Sequence, residues 1–139
     1  MKDKIFFDTN MFIYLYSADE DAKRSVVENL VNRVLPVASI QVLNEISNVL
    51  NKKFQKDFDE IRDVADEISE CCIIEIVDEQ TVRLALTLAK KYKYAYYDCL
   101  IIASALESHC TMLYTEDMQH GQLIENSLRI VNPFVEYGL

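Results

Sequence analysis

A chain of 139 residues, half of them apolar, can bury one substantial core and leaves no room for a second domain of ordinary size. With 23 acidic against 14 basic residues, the formal net charge of −9 works against a broad phosphate-binding surface. The only glycines, Gly121 and Gly138, come late, so neither a P-loop nor a glycine-rich dinucleotide turn can be built; kinases, GTPases and dehydrogenases of the usual kinds are excluded.

In chain order, KIFF (residues 4 to 7) predicts a short strand ending at Asp8, and a helix begins near Asn10. Residues 19 to 34 form an amphipathic helix with Val26, Val27, Leu30, Val31 and Val34 at helical spacing. LPVAS (35 to 39) is a second strand, with Ser39 as N-cap of a helix over roughly 40 to 54. There Val42, Leu43, Ile46, Val49 and Leu50 share one stripe, and Glu45 falls at its edge.

A polar helix over 57 to 70, a strand over 72 to 77 and a helix over 79 to 92 follow. YYDCLIIASALESH is a further helix; Asp98 in its first turn lies on the face of Ile102 and Ala105 and is expected to point inward. A strand over 111 to 114 runs into a polar turn holding Thr115 and Asp117, and SLRIVNP gives a last strand stopped by Pro133. Strands separated by helices imply a three-layer α/β/α domain over residues 1–139, with a central, mainly parallel sheet of four to five strands. In such sheets sites form at the carboxyl ends of the strands, where Asp8 and Asp117 fall.

The remaining chemistry is sparse. Cys71, Cys72, Cys99 and Cys110 lack C-x-x-C spacing and are expected to be buried or inert thiols, while His109 and His120 are too far apart for a local two-His site. His109 is expected to close a helix and His120 to be solvated in a polar turn. No apolar run approaches the roughly 20 residues of a membrane helix, and the N-terminus lacks the apolar core of a secretory signal. A cytoplasmic protein is the expectation.

Each acid taken alone has an ordinary explanation. Asp8 can cap a helix, Glu45 can be a solvated boundary residue, Asp98 can complement a helix dipole, and Asp117 can form an Asx turn. Together they end strands or border apolar helix faces, with no lysine or arginine within five residues after Asp8 or beside Asp117, so crowding would require raised pKa values or counter-cations. Hard oxygen ligands of this charge suit Mg²⁺, or Mn²⁺, which also offsets part of the net negative charge.

The residues Asp8-Thr9-Asn10, Glu45, Tyr97-Asp98 opening an Ala-rich helix, and Thr115-Glu116-Asp117 resemble a PIN domain, and in particular the VapC-type toxins of prokaryotic toxin–antitoxin pairs. The closing TEDMQHGQLIENSLRIVNPF is similar as well, so the likeness runs from Asp8 to Phe134. It implies that Asp8, Glu45, Asp98 and Asp117 hold one or two metal ions, Asp8 and Asp98 most firmly, and that Asn10 and Thr115 orient a carboxylate or water. It further implies metal-activated hydrolysis of RNA phosphodiesters, an antitoxin partner that wraps the domain, and a homodimer. Basic groups at Lys52, Lys53 and Lys56, and at Lys90, Lys91 and Lys93 among Tyr92, Tyr94, Tyr96 and Tyr97, offer charge and stacking faces for single-stranded RNA. The rival readings are another Mg-dependent phosphohydrolase or RNA-processing nuclease, and a catalytically silent PIN-like binding module.

Overall fold

The protein is described here as a computed structural model covering residues 2–139. Strand β1 (Lys4–Phe7) is the centre of the molecule: Ile5, Phe6 and Phe7 are fully buried, as befits a parallel strand covered on both faces. It pairs in parallel with β2 (Leu35–Ser39) on one side and β4 (Met112–Tyr114) on the other. β3 (Ile73–Glu75) extends the sheet beyond β2; β6 (Leu128–Val131) and then β5 (Leu123–Ile124) extend it beyond β4. The order is β3-β2-β1-β4-β6-β5, and only the β5–β6 pair is antiparallel.

This is the expected mainly parallel α/β architecture with one correction: the sheet has six strands, not four to five. The missed strand, β5, is two residues long, and the turn joining it to β6 holds Glu125 and Asn126 at φ of 50° and 56°. Left-handed backbone normally announces itself by Gly, and Glu advertises nothing of the kind. Glu125 is kept there by partners distant in sequence: the Tyr92 hydroxyl accepts from its backbone N–H at 3.0 Å, and its carboxylate accepts from Lys91 Nζ at 2.6 Å.

The helices are α1 (Thr9–Tyr16), α2 (Asp21–Arg33), α3 (Ile40–Lys52), α4 (Phe58–Cys71), α5 (Glu79–Tyr92) and α6 (Tyr96–Glu107). Right-handed crossovers from β1 through β2 to β3 put α1 to α4 on one face, where they pack in the sequence α2–α1–α3–α4; the return to β4 puts the α5–α6 hairpin on the other. α6 is buried from Cys99 to Ala105, wedged between α5 and strands β2 and β4, so its sequence is apolar all round. Because the chain leaves β1 toward β2 but later returns to β4 on β1's opposite side, the sheet has a topological switch point between β1 and β4. No helix among the described residues is long and apolar enough to cross a membrane.

Candidate active site

The switch point fixes where the acids meet. Asp8 follows β1 directly, Thr115 and Asp117 follow β4, Glu45 sits midway along α3, and Asp98 lies in the first turn of α6. All four face the carboxyl edge of the sheet closely enough for their charges to couple: Asp8 and Asp98 each feel both Glu45 and Asp117, and Asp117 feels Glu45.

Asp8 is only 4% exposed. One carboxylate oxygen accepts from the Thr9 backbone N–H at 2.6 Å and the other from the Thr115 hydroxyl at 2.6 Å. The helix-capping explanation is therefore correct as far as it goes, since Asp8 is the N-cap of α1. It is incomplete, because burial pushes the carboxyl up to about 6, against the pull of the Thr115 and Thr9 hydrogen bonds and with added repulsion from Asp117 and Glu45.

Glu45 is gripped at both oxygens, by Gln41 Nε2 at 3.0 Å and by the Thr9 hydroxyl at 2.5 Å. Asp98 is half-buried, less inward than its helical position suggested, and no hydrogen bond to it occurs among the described residues. Its carboxyl is raised by burial and by the charges of Asp117 and Glu45. Asp117 accepts from Asn10 Nδ2 at 3.3 Å and is raised by burial, Glu116 and Glu45. The turn expected of the Asp117 side chain is made instead by Thr115, whose hydroxyl accepts from the Asp117 backbone N–H at 3.2 Å while donating to Asp8.

Asn10 and Thr115 thus each donate a hydrogen bond to one of the four carboxylates, Asp117 and Asp8 respectively. Thr9 and Gln41 were not anticipated, although both had signals. Thr9 adjoins Asp8 in the Asp-Thr-Asn triplet, and Gln41 lies one helical turn before Glu45, where side chains meet.

None of the six ion pairs among the described residues includes Asp8, Glu45, Asp98 or Asp117. Nor do any three acidic, histidine or cysteine side chains there stand as a ready-made metal-holding group. The donor set itself, all hard oxygen with one nearly buried member, fits a divalent ion of the magnesium or manganese kind.

The basic residues divide. Lys53 lines a cavity with Asn10, Tyr14 and Phe54 and with the acidic Asp19 and Glu20, its ammonium 5.7 Å from the Phe54 ring centroid. Lys52, Lys90 and Lys93 are exposed, with Lys93 at φ 64° closing α5. Lys91 is occupied by Glu125, so it is not a free cation, and Lys56 approaches Glu60 at 3.9 Å. Two of the tyrosines are not free stacking faces either. The Tyr92 hydroxyl bonds Glu125, and the Tyr94 hydroxyl bonds Gln122 and accepts from the Gln119 N–H, pinning the α5–α6 hairpin to the loop before β5. Tyr97, 60% exposed, remains available.

Two minor expectations also change. His120 is more than solvated, since its Nδ1 accepts from the Asn132 N–H at 2.9 Å. Cys99 and Cys110 are buried as expected, whereas Cys71 is exposed and Cys72 half-buried.

The PIN domain family profile matches residues 5–124. Solved structures of similar fold include a toxin–antitoxin complex from Klebsiella pneumoniae (TM-score 0.71, 21% identity, covering 93% of this chain and 97% of that one). VapC20 of Mycobacterium tuberculosis, a sarcin-ricin loop cleaving toxin, has a TM-score of 0.67 at 21% identity, covering 81% and 89% of the two chains. VapBC2 from Rickettsia felis, solved with a promoter DNA fragment, has a TM-score of 0.67 at 18% identity, covering 93% and 99%. No curated protein matches the chain by sequence.

Proposed function

The chain belongs to the PIN domain family, and from that membership we propose that it is a divalent-metal-dependent endoribonuclease, the toxin of a toxin–antitoxin pair. The observation that carries the reading is the gathering of Asp8, Glu45, Asp98 and Asp117 at the switch point of the sheet with no ion-pair partner among the described residues. A structural role gives no reason to collect four mutually repelling acids, one of them buried.

Asp8, Asp98, Asp117 and Glu45 are the residues that would hold Mg²⁺ or Mn²⁺. Such an ion supplies an acidified water for in-line attack on a phosphodiester and positive charge for the leaving oxygen. The chain's own part is preorganisation. Thr9 N–H and the Thr115 hydroxyl fix both oxygens of Asp8, Gln41 and Thr9 fix those of Glu45, and Asn10 steadies Asp117. Asp98, without a hydrogen bond among the described residues, keeps its lone pairs available. Lys52 and Lys53 at the end of α3, with Lys90 and Lys93 at the end of α5, would meet the RNA backbone.

Support for a toxin comes from neighbours of the same fold, several solved as toxin–antitoxin complexes and one described as cleaving the sarcin-ricin loop. The reading includes an antitoxin partner, a homodimer, a cytoplasmic setting and one domain over 1–139.

Purified protein incubated with cellular RNA and Mg²⁺ or Mn²⁺ tests it. Cleavage is expected with the wild type, and is expected to vanish with EDTA and to fall on the order of 1000-fold or more in Asp8→Asn and Asp98→Asn. Undiminished cleavage in EDTA or in either variant would overturn the proposal.

A further inference from the structure

Cys71 and Cys72 play no part in the acidic site and sit at the junction of α4 and β3. Neighbouring side chains diverge by about 100° along a helix and point to opposite faces of a strand, so vicinal cysteines usually face apart. Here Cys71 is the last helical residue and Cys72 switches to extended backbone (φ −125°, ψ 154°), and the break brings the two Sγ atoms to 3.3 Å. Both are free thiols, Cys71 exposed and Cys72 half-buried. Cys71 also borders a cavity of about 240 Å³ between α1, α2 and α4, walled by Phe12, Leu15, Val31 and Ile68 together with the polar Glu28, Asn32 and Glu67.

We propose that Cys71 and Cys72 form a dithiol clip for one trivalent aryl arsenical, with its ring seated in the adjoining cavity. An arsine oxide condenses with two thiols: two As–S bonds form, the As–O bonds break, and the oxygen leaves as water with both thiol protons. Arsenic stays trivalent and nothing is oxidised. Two neutral thiols enter and no net proton is released, so the burial that pushes the Cys72 thiol upward slows its attack, which the exposed Cys71 begins, without shifting the equilibrium against the clip.

Closing the pair into a disulfide fits less well. Adjacent Cα atoms are about 3.8 Å apart across a trans peptide, whereas disulfides ordinarily span roughly 4.4–6.8 Å. A bridging atom relieves that constraint.

The test is intact-mass measurement of the full chain after exposure to phenylarsine oxide in excess glutathione. One adduct per chain is expected, formed with loss of one water and stripped by 1,2-ethanedithiol but not by the monothiol. Cys71→Ser and Cys72→Ser are each expected to lose affinity by on the order of 100-fold, since the second sulfur acts at high effective concentration. The Cys99→Ser/Cys110→Ser double variant should bind as the wild type does. Burying the ring should make phenylarsine oxide bind on the order of tenfold tighter than methylarsine oxide.

No adduct on the wild type, or an adduct surviving in either Cys71→Ser or Cys72→Ser, would overturn the clip. Equal affinity for the phenyl and methyl compounds would overturn the ring seat. Circular dichroism of each variant establishes that the comparison is between folded proteins, and Cys→Ala counterparts replace any that fail to fold. RNA cleavage does not enter, so the outcome is independent of the nuclease reading.

Discussion

Glu116 and Asp117 are adjacent acids on the same turn after β4, yet they meet opposite fates. Glu116 turns toward α1 and α2, where it accepts from the Tyr14 hydroxyl and pairs with Lys23 at 3.1 Å. Lys23 in turn lies 4.9 Å from the Tyr14 ring centroid and 5.2 Å from that of Phe134. That network is complete, its acid matched by a cation and a donor. Burial, and donation to Glu116, push the Tyr14 hydroxyl up to about 12. Asp117 couples instead to Asp8, Asp98 and Glu45, and among the described residues its side chain is answered by the amide of Asn10 alone. Compensated charge is what a fold uses to hold itself together, and uncompensated charge is what it keeps for something else.

The contrast can be broken most forcefully by removing one acid of each kind. Asp98→Asn should cut RNA cleavage on the order of 1000-fold while Glu116→Gln stays within roughly threefold of wild type, read as initial rates on one labelled RNA. Equal losses would mean that the two acids belong to one network. A smaller effect is expected from Thr115→Val, which leaves one oxygen of Asp8 without its donor: cleavage should fall roughly 10- to 100-fold with metal affinity reduced alongside.

Stability separates the two regions with the opposite sign. The Asp8 carboxyl is raised from 3.8 to about 6 on folding, so in metal-free protein its charge opposes folding fully above pH 6; as pH falls toward 4 the folded state takes up the proton first and the penalty is relieved. Asp8→Asn should therefore be more stable than wild type in EDTA at pH 7.5 by about 1–3 kcal/mol, with the gap closing by pH 4.5, as measured by urea unfolding. A gap independent of pH would remove burial of charge as its cause. Lys23→Met should do the reverse and cost about 1 kcal/mol, because it strands the half-buried Glu116 carboxylate.

How much of this was legible in the sequence follows from how local each cause is. β1, β2 and the helix starting at Ile40 are written in runs of apolar residues and in Ser39, whose hydroxyl accepts from the Val42 N–H at 3.3 Å. The four acids were legible because they end strands or flank apolar stripes. What escaped was set by partners far apart in the chain. β5 depends on Tyr92 and Lys91 holding a Glu in left-handed backbone, and those same contacts remove Lys91 and Tyr92 from the RNA-facing set. Thr9 reaches Glu45 across 36 positions, which no local pattern encodes. The different orientations of Glu116 and Asp117 were likewise invisible, since only the packing of α1 and α2 supplies Lys23 and Tyr14.

The central claim is that the uncompensated acids are kept for a divalent cation, and a Mn²⁺ titration followed by thermal unfolding tests it most directly. A ligand that binds only the folded state stabilises it by RT ln(1 + L/Kd) at free ligand concentration L, so the melting temperature climbs as that concentration passes Kd. Mn²⁺ should raise it in the wild type and in Glu116→Gln, and should raise it little or not at all in Asp8→Asn and Asp98→Asn. The same rise in all four proteins would contradict the account.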